Sequence, residues 1–325
     1  MIPLLIDTDP GIDDALAIFL AFRSPECSVE ALTTVAGNVG VERCTLNVCR
    51  ILSAVRPARR PLVGRGAEKP LARPLVSAAH IHGDDGLSNL GELREPDGSP
   101  RYPSPSLTLS PLDGPDLILD TIGRFPSELV VVALGPLTNL ALALERDPGR
   151  MALLRRLVIM GGAVGVPGNM TPVAEFNFYV DPEAASRVLA SGLPIELVPL
   201  DVTRRAVLPR SVFEQRLLAS SDPVARFVTD MTQWGFQFAE EIGEGGITLH
   251  DPVAVGIALD SSLTHFEALH VAVECEGTLT RGMSVGDRRV IPVGRKAPAT
   301  CRVARWLRAD TFLHLFLDRL CPASS

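Results

Sequence analysis

Short apolar, β-branched runs alternate along this chain with stretches of helical pattern. An unbroken run of Val, Ile and Leu, bounded by glycine, proline or polar residues, has the composition of a strand covered on both faces. Such runs occupy residues 4–6, 29–35, 129–133, 157–160, 195–200 and 269–275. Helical patterns fall at residues 13–22, 139–145 and 182–191. The last of these has Asp181 as N-cap, Pro182 at the first helical position and Gly192 just past its end. Strands alternating with helices predict an α/β fold, with a mostly parallel open central sheet and helices on both faces. A stretch rich in Pro, Ser and Gly interrupts the rhythm at residues 94–116. The same alternation resumes after it, so residues 1–325 are expected to form a single domain with a surface excursion there. Residues 322–325 read as a loose tail.

Composition narrows the function classes. With 325 residues, 46% hydrophobic and 21% charged, the chain has a soluble globular composition and can bury a large core. A net charge of -7 argues against nucleic acid as partner, since phosphate binding needs a basic face. No apolar run is long enough to span a bilayer, and the first residues lack the pattern of a signal peptide, so a cytoplasmic location is expected. The six cysteines, Cys27, Cys44, Cys49, Cys275, Cys301 and Cys321, show no C-x-x-C spacing and read as buried reduced thiols. Lys69 and Lys296 are the only lysines, which points to no particular site.

The first strand candidate runs directly into Asp7-Thr8-Asp9-Pro10-Gly11-Ile12-Asp13-Asp14. Carboxylates at a helix start are favoured by its exposed N–H groups, which accounts for one or two acids and not for four. So much like charge in one turn must share protons or bind a cation. Strands of such sheets end where ligands bind, and four of the candidates end in Asp7-Thr8-Asp9, Gly37-Asn38, Leu134-Gly135-Pro136-Leu137-Thr138-Asn139 and Gly161-Gly162. One crevice could receive them all.

Further constellations add chemistry. His250-Asp251-Pro252 follows Gly243, Gly245 and Gly246; Asp251 is either an ordinary helix cap or a further metal ligand, with His250 as a proton donor. Glu175-Phe176-Asn177, read as extended, puts Glu175 and Asn177 on one face with Phe176 turned away, and Asn169 lies near in sequence. A carboxylate with two amides suits sugar hydroxyls, although a plain turn carries the same residues. The segment His80-Ile81-His82-Gly83-Asp84-Asp85-Gly86 reads as a polar loop, a second metal site, or a lid that touches a ligand through His82. Phe227, Trp234, Phe236 and Phe238 form an aromatic stripe at helical spacing, usually core, of which one or two could line a slot for a flat ring.

Together these motifs resemble the inosine–uridine-preferring nucleoside hydrolases. The match comprises the D-x-D-P-G-x-D-D opening, Gly37-Asn38, Gly135-Pro136-Leu137-Thr138-Asn139, Met160-Gly161-Gly162, Ala174-Glu175-Phe176-Asn177, Asp181-Pro182-Glu183-Ala184, Thr280-Arg281-Gly282-Met283 and His250-Asp251-Pro252. The resemblance implies a Rossmann-related sheet and an N-ribohydrolase that splits a ribonucleoside into ribose and free base. It implies Ca²⁺ held by Asp9, Asp14, Asp251 and the Leu134 carbonyl, an oxygen shell of the kind that ion prefers. It further implies Asp9 as general base, with Asp13, Asn38 and Asn177 on the ribose diol. Asn169, Glu175 and Met160 would lie by the 5′-hydroxyl, and His250 would protonate the leaving base. Among the aromatic residues, Phe176, Trp234 and Phe238 join His82 as candidate substrate contacts. A homotetramer or homodimer is implied as well. The chemistry is self-consistent, because glycosidic cleavage places positive charge on the sugar, which carboxylates and amide oxygens stabilise. Relatives often carry tyrosines on the helix before the H-D-P loop; this chain has only Tyr102 and Tyr179, neither of them there. That leaves His250 as the proton donor and the base preference open.

Two rival readings share parts of the pattern. An aspartate-nucleophile (HAD-like) phosphatase would use the D-x-D opening, yet it also wants a downstream basic residue and a late acidic pair, and neither is supported. A non-catalytic, metal-stabilised nucleoside-binding protein would have no need of both a base and an acid.

Overall fold

The computed structural model describes residues 1–103, 105, 108–218, 222, 224–290, 294 and 296–320. Its strands are β1 (Ile2–Thr8), β2 (Cys27–Thr34), β3 (Leu62–Arg65), β4 (Val130–Ala133), β5 (Arg156–Met160) and β6 (Ile195–Val198). They continue with β7 (Val207–Leu208), β8 (Ile247–Thr248), β9 (Thr264–Leu269), β10 (Val271–Val273), β11 (Ser284–Gly286) and β12 (Cys301–Leu307). Among the described residues an eight-stranded sheet runs in the order β3-β2-β1-β4-β5-β6-β12-β9. Every neighbouring pair in it is parallel except β12 with β9. The expected α/β class, with a mostly parallel sheet and helices around it, is what the chain adopts.

The period of two along the central strands explains both the sheet and its two covers. Leu4 and Ile6 of β1, Val130 and Val132 of β4, and Val158 and Met160 of β5 face one core. Leu5, Val131, Ala133, Leu157 and Ile159 face the other. The first core takes apolar faces from the helices Ile12–Phe22, Val224–Glu241, His250–Leu259 and Ala309–Leu320; the second from Gly114–Arg124, Thr138–Arg146 and Pro182–Leu189. With both faces covered, the strands need no polar side, which is why they read as unbroken apolar runs.

Several local expectations need correction. Residues 269–275 are not one strand: β9 ends at Leu269 in the main sheet, and β10 belongs to a separate antiparallel pair with β11. The chain turns at His270, and the Thr300 hydroxyl takes up the backbone N–H of Val271 (3.0 Å) in place of a sheet partner. The run at 195–200 stops at Val198, and Leu200 already begins the short helix Leu200–Thr203. The helix at 182–191 ends at Leu189, capped at its start by Asp181, whose Oδ1 accepts from Ala184 N (3.0 Å). Within residues 94–116, Arg94 pairs with Pro100 in a small bridge, and the Tyr102 hydroxyl donates to Asp230 (2.8 Å). Part of that stretch, Cys321 and residues 322–325 lie outside the described residues.

The order of the strands fixes where a ligand can bind. From β1 the chain builds outward through β2 to β3, then crosses back to β4 on the other side of β1. That reversal opens a crevice at the carboxyl ends of β1 and β4. No helix among the described residues is long and apolar enough to cross a membrane.

Candidate active site

The crevice is a cavity of about 410 Å³. Its walls include Asp13 after β1, Asn38 after β2, Leu134 after β4, Met160 at the end of β5 and Arg204 after β6. The floor is carboxylate. Asp14 organises the turn that carries it, accepting from Gly11 N (2.9 Å) and from the Thr8 hydroxyl. Asn38 binds two of the acids, through its backbone N–H to Asp9 Oδ2 (2.7 Å) and its side-chain amide to Asp14 Oδ2 (3.1 Å). Glycine is required on both sides of Asp9: a Cβ on Gly37 would lie 2.0 Å from Asp9 Oδ2, and one on Gly135 would lie 2.4 Å from Oδ1. Asp7, two residues earlier, is a structural acid. Its Oδ1 accepts from the Thr33 hydroxyl (2.6 Å) and Asn139 Nδ2 (2.7 Å), and burial pushes its carboxyl up to about 7.

Asp13, Asp14 and Asp251 each offer an oxygen within 4.8 Å of the others. Burial pushes Asp13 up to about 6 and Asp14 upward, and it holds Asp9 and Asp251 well above the usual carboxylate range. Repulsion among the acids adds to the shift at Asp9, Asp14 and Asp251. Buried acids at this spacing are stable only with shared protons or with a cation among them. Asp9 Oδ1 is buried without a hydrogen-bond partner. An unpartnered anionic oxygen beside three clustered carboxylates fits a hard divalent cation. The tight trio contains Asp13, whereas the resemblance implied Asp9; the Asn38 N–H holds one Asp9 oxygen aside. The Leu134 carbonyl, another implied ligand, accepts from Asn177 Nδ2 (2.6 Å).

Above the acids, Glu175 begins the short helix Phe176–Val180. Its carboxylate accepts from Asn177 N (2.9 Å), Phe178 N (3.2 Å) and Gly162 N (2.9 Å), and burial raises its pKa. The expectation of an extended segment with Phe176 turned away is therefore overturned. The capping carboxylate satisfies first-turn N–H groups, the local helix follows, and Phe176 lines the cavity with Glu175 and Asn177. Asn169 joins them, its Oδ1 accepting from Phe176 N (3.0 Å). Met160 reaches the same group through its carbonyl, which accepts from Asn177 Nδ2 (3.2 Å).

His250 and His82 also line the cavity. His250 opens the helix His250–Leu259, whose N-cap is Leu249 and not Asp251, so Asp251 sits inside the first turn, buried and facing the acids. His250 Nδ1 lies 2.8 Å from the Thr203 hydroxyl. Burial first, and then nearby Arg204, holds its imidazole down at about 4. His82 Nδ1 accepts from Ile12 N (3.1 Å), one of the free N–H groups at the start of a helix, and burial likewise holds His82 down at about 4.

Residues 4–314 match the family model described as inosine-uridine preferring nucleoside hydrolase. The chain belongs to the inosine–uridine-preferring nucleoside hydrolase family. A pyrimidine-specific ribonucleoside hydrolase of Salmonella arizonae is 38% identical over 321 residues, 98% of each chain. Among solved structures, a plant nucleoside hydrolase superposes with a TM-score of 0.88 at 32% identity over 99% of both chains. A purine-preferring ribonucleoside hydrolase from Gardnerella vaginalis gives 0.86 at 30% identity over 98% of both. The protein is thus a nucleoside hydrolase, a glycosidase acting on N-glycosidic bonds. Neither the phosphatase reading nor the non-catalytic one is favoured.

In this nucleoside hydrolase three expected site residues are absent from the cavity wall: Asp9 and Asp14, which are buried behind it, and Trp234. Trp234 is not in the wall; it is 39% exposed, and its Nε1 donates to the His80 carbonyl (3.3 Å). On the helix Val224–Glu241 the cavity side is taken by Gly235, Phe238 and Ala239, so Trp234 braces the His80 segment from outside. That segment is tied down at Asp85, whose carboxylate accepts from Leu87 N, Asn89 N, Gly91 N and Arg50 Nη1. Among the described residues it forms no three-ligand group of its own. Thr203, Arg204, Glu244 and Thr248 belong to no motif in the sequence, yet the fold brings Thr203 to His250 and the other three to the cavity. The first two follow the end of β6, where the strand-end rule would have found them had the run at 195–200 been closed at Val198.

Proposed function

We propose that the chain hydrolyses ribonucleosides to ribose and free base with a Ca²⁺ ion held by Asp14 and Asp251, with Asp9, Asp13 and the Leu134 carbonyl around it. Bound there, a hard divalent cation acidifies a neighbouring water and grips vicinal hydroxyls. The observation that carries the reading is one cavity lined both by clustered acids and by His250. Asp9 serves as general base, its buried Oδ1 free to accept a proton from water. The water oxygen bonds to the anomeric carbon, and the glycosidic electron pair leaves with the base nitrogen. Asp13, Asn38 and Asn177 hold the ribose diol; Asn169, Glu175 and the Met160 backbone hold the 5′-hydroxyl. Positive charge on the ribosyl carbon develops over this set of carboxylates and amide oxygens, which stabilise it.

His250 protonates the departing base. When Nδ1 accepts from the Thr203 hydroxyl, Nε2–H faces the cavity, and a histidine held down near 4 is a strong acid once protonated. Phe176 and Phe238 offer apolar faces to the flat base, and His82 lines the same cavity. Relatives named pyrimidine-specific and purine-preferring accord with a hydrolase whose sugar end is common and whose base end varies.

The test is a pair of variants. Asp9→Ala abolishes ribose release. His250→Ala slows inosine cleavage by about 10²- to 10⁴-fold, the usual range for losing a general acid. It slows p-nitrophenyl riboside far less, because that leaving group departs without a proton. Equal losses on both substrates would remove His250 from the acid role, and an active Asp9→Ala enzyme would refute the base assignment.

A further inference from the structure

Among the described residues, Arg204 is the only arginine or lysine that lines the cavity. It shares the cavity with His250, whose imidazole feels its charge. Its chain neighbour Thr203 holds His250 Nδ1, and its own Nη2 donates to the Gly168 carbonyl (2.8 Å), next to Asn169. That bond uses one of five guanidinium N–H groups, and among the described residues no carboxylate pairs with it. An unpaired cation that lines a ligand cavity has donors to spare for a ligand.

The reaction creates charge of both signs in this cavity. As the glycosidic bond breaks, its electron pair passes to the base nitrogen. The sugar becomes positive and the base negative until a proton arrives. Asp13, Glu175, Glu244 and Asp251 line the cavity, and the Arg204 guanidinium lines it with His250, on which its charge acts. We infer that Arg204 stabilises the negative charge that the departing base takes up, working alongside His250 as a second leaving-group residue of this site. The inference rests on the hydrolase reading above. Preorganised donors aimed at developing charge act in the transition state, so the contribution falls on kcat more than on KM.

The experiment compares wild type with Arg204→Gln and Arg204→Lys on uridine, inosine and p-nitrophenyl riboside. Arg204 is exposed and makes one backbone contact, so both variants keep the fold, which circular dichroism checks. Arg204→Gln is expected to lower kcat on the two nucleosides by about tenfold to hundredfold, the worth of one charged hydrogen bond. KM should move little, and p-nitrophenyl riboside, whose leaving group is a stable anion, should be nearly unaffected. Arg204→Lys, which keeps the charge, should recover most of the loss. A uniform fall on all three substrates, no fall at all, or a lysine variant as slow as the glutamine variant overturns the assignment while leaving the hydrolase reading intact. Wild-type protein that releases no ribose from any of them overturns both.

Discussion

Two aspartates two residues apart show how far environment decides the role of a side chain. Asp7 has two hydrogen-bond donors on Oδ1 and is pushed by burial up to about 7, so it serves the fold. Asp7 Oδ2 and Asp9 Oδ1 are both buried without a donor; what sets Asp9 apart is a carboxylate pressed between two glycines and repelled by Asp13 and Asp14. The close approach of Gly135 gives a test that moves Asp9 without replacing any functional side chain. In Gly135→Ala the new Cβ, 2.4 Å from Asp9 Oδ1, must displace the carboxylate. Misplacement of a reacting group by an ångström costs about hundredfold in rate. We expect a loss of kcat/KM of that order with the circular dichroism spectrum unchanged. Retention of wild-type kcat/KM would mean that Asp9 is not held in a working position.

At the scale of elements, the cap of the helix Pro182–Leu189 joins three parts of the molecule. Asp181 accepts from Ala184 N (3.0 Å), Leu71 N (2.9 Å) and the Thr138 hydroxyl (2.6 Å). Asp181→Ala removes a helix cap and leaves buried donors unpaired, which should destabilise the protein by about 1–3 kcal/mol, read as a lower urea midpoint. An unchanged midpoint would show that the cap contributes nothing. This helix was legible in the sequence because its cap residue, proline and terminal glycine all follow from backbone chemistry. The inner strands were legible because both of their faces are covered. Three strands of the main sheet were not: β3 is only four residues long, β9 is a half-exposed edge strand, and β12 is broken by Arg302 and Arg305, which reach Glu196 and Asp201. The site divides the same way. Its acids and amides sit at strand ends in crowded motifs, whereas Arg204 and Thr203 were hidden by a strand boundary set two residues too late. Trp234 was misassigned because helical spacing alone does not say which neighbour in a stripe faces inward.

At the scale of the whole molecule, the reversal of strand order beside β1 gathers residues from 12 to 251 around one cavity. The buried acids there destabilise the fold when left uncompensated, and a cation that binds only the folded state offsets that cost. Folding, metal and turnover are therefore linked through the same carboxylates. The most direct measurement of this claim is ribose release from inosine and uridine by protein stripped with a chelator, then given Ca²⁺ in excess. The account predicts that release stops in the stripped protein and returns with the added ion. Undiminished turnover in protein shown by elemental analysis to hold no divalent metal would contradict it.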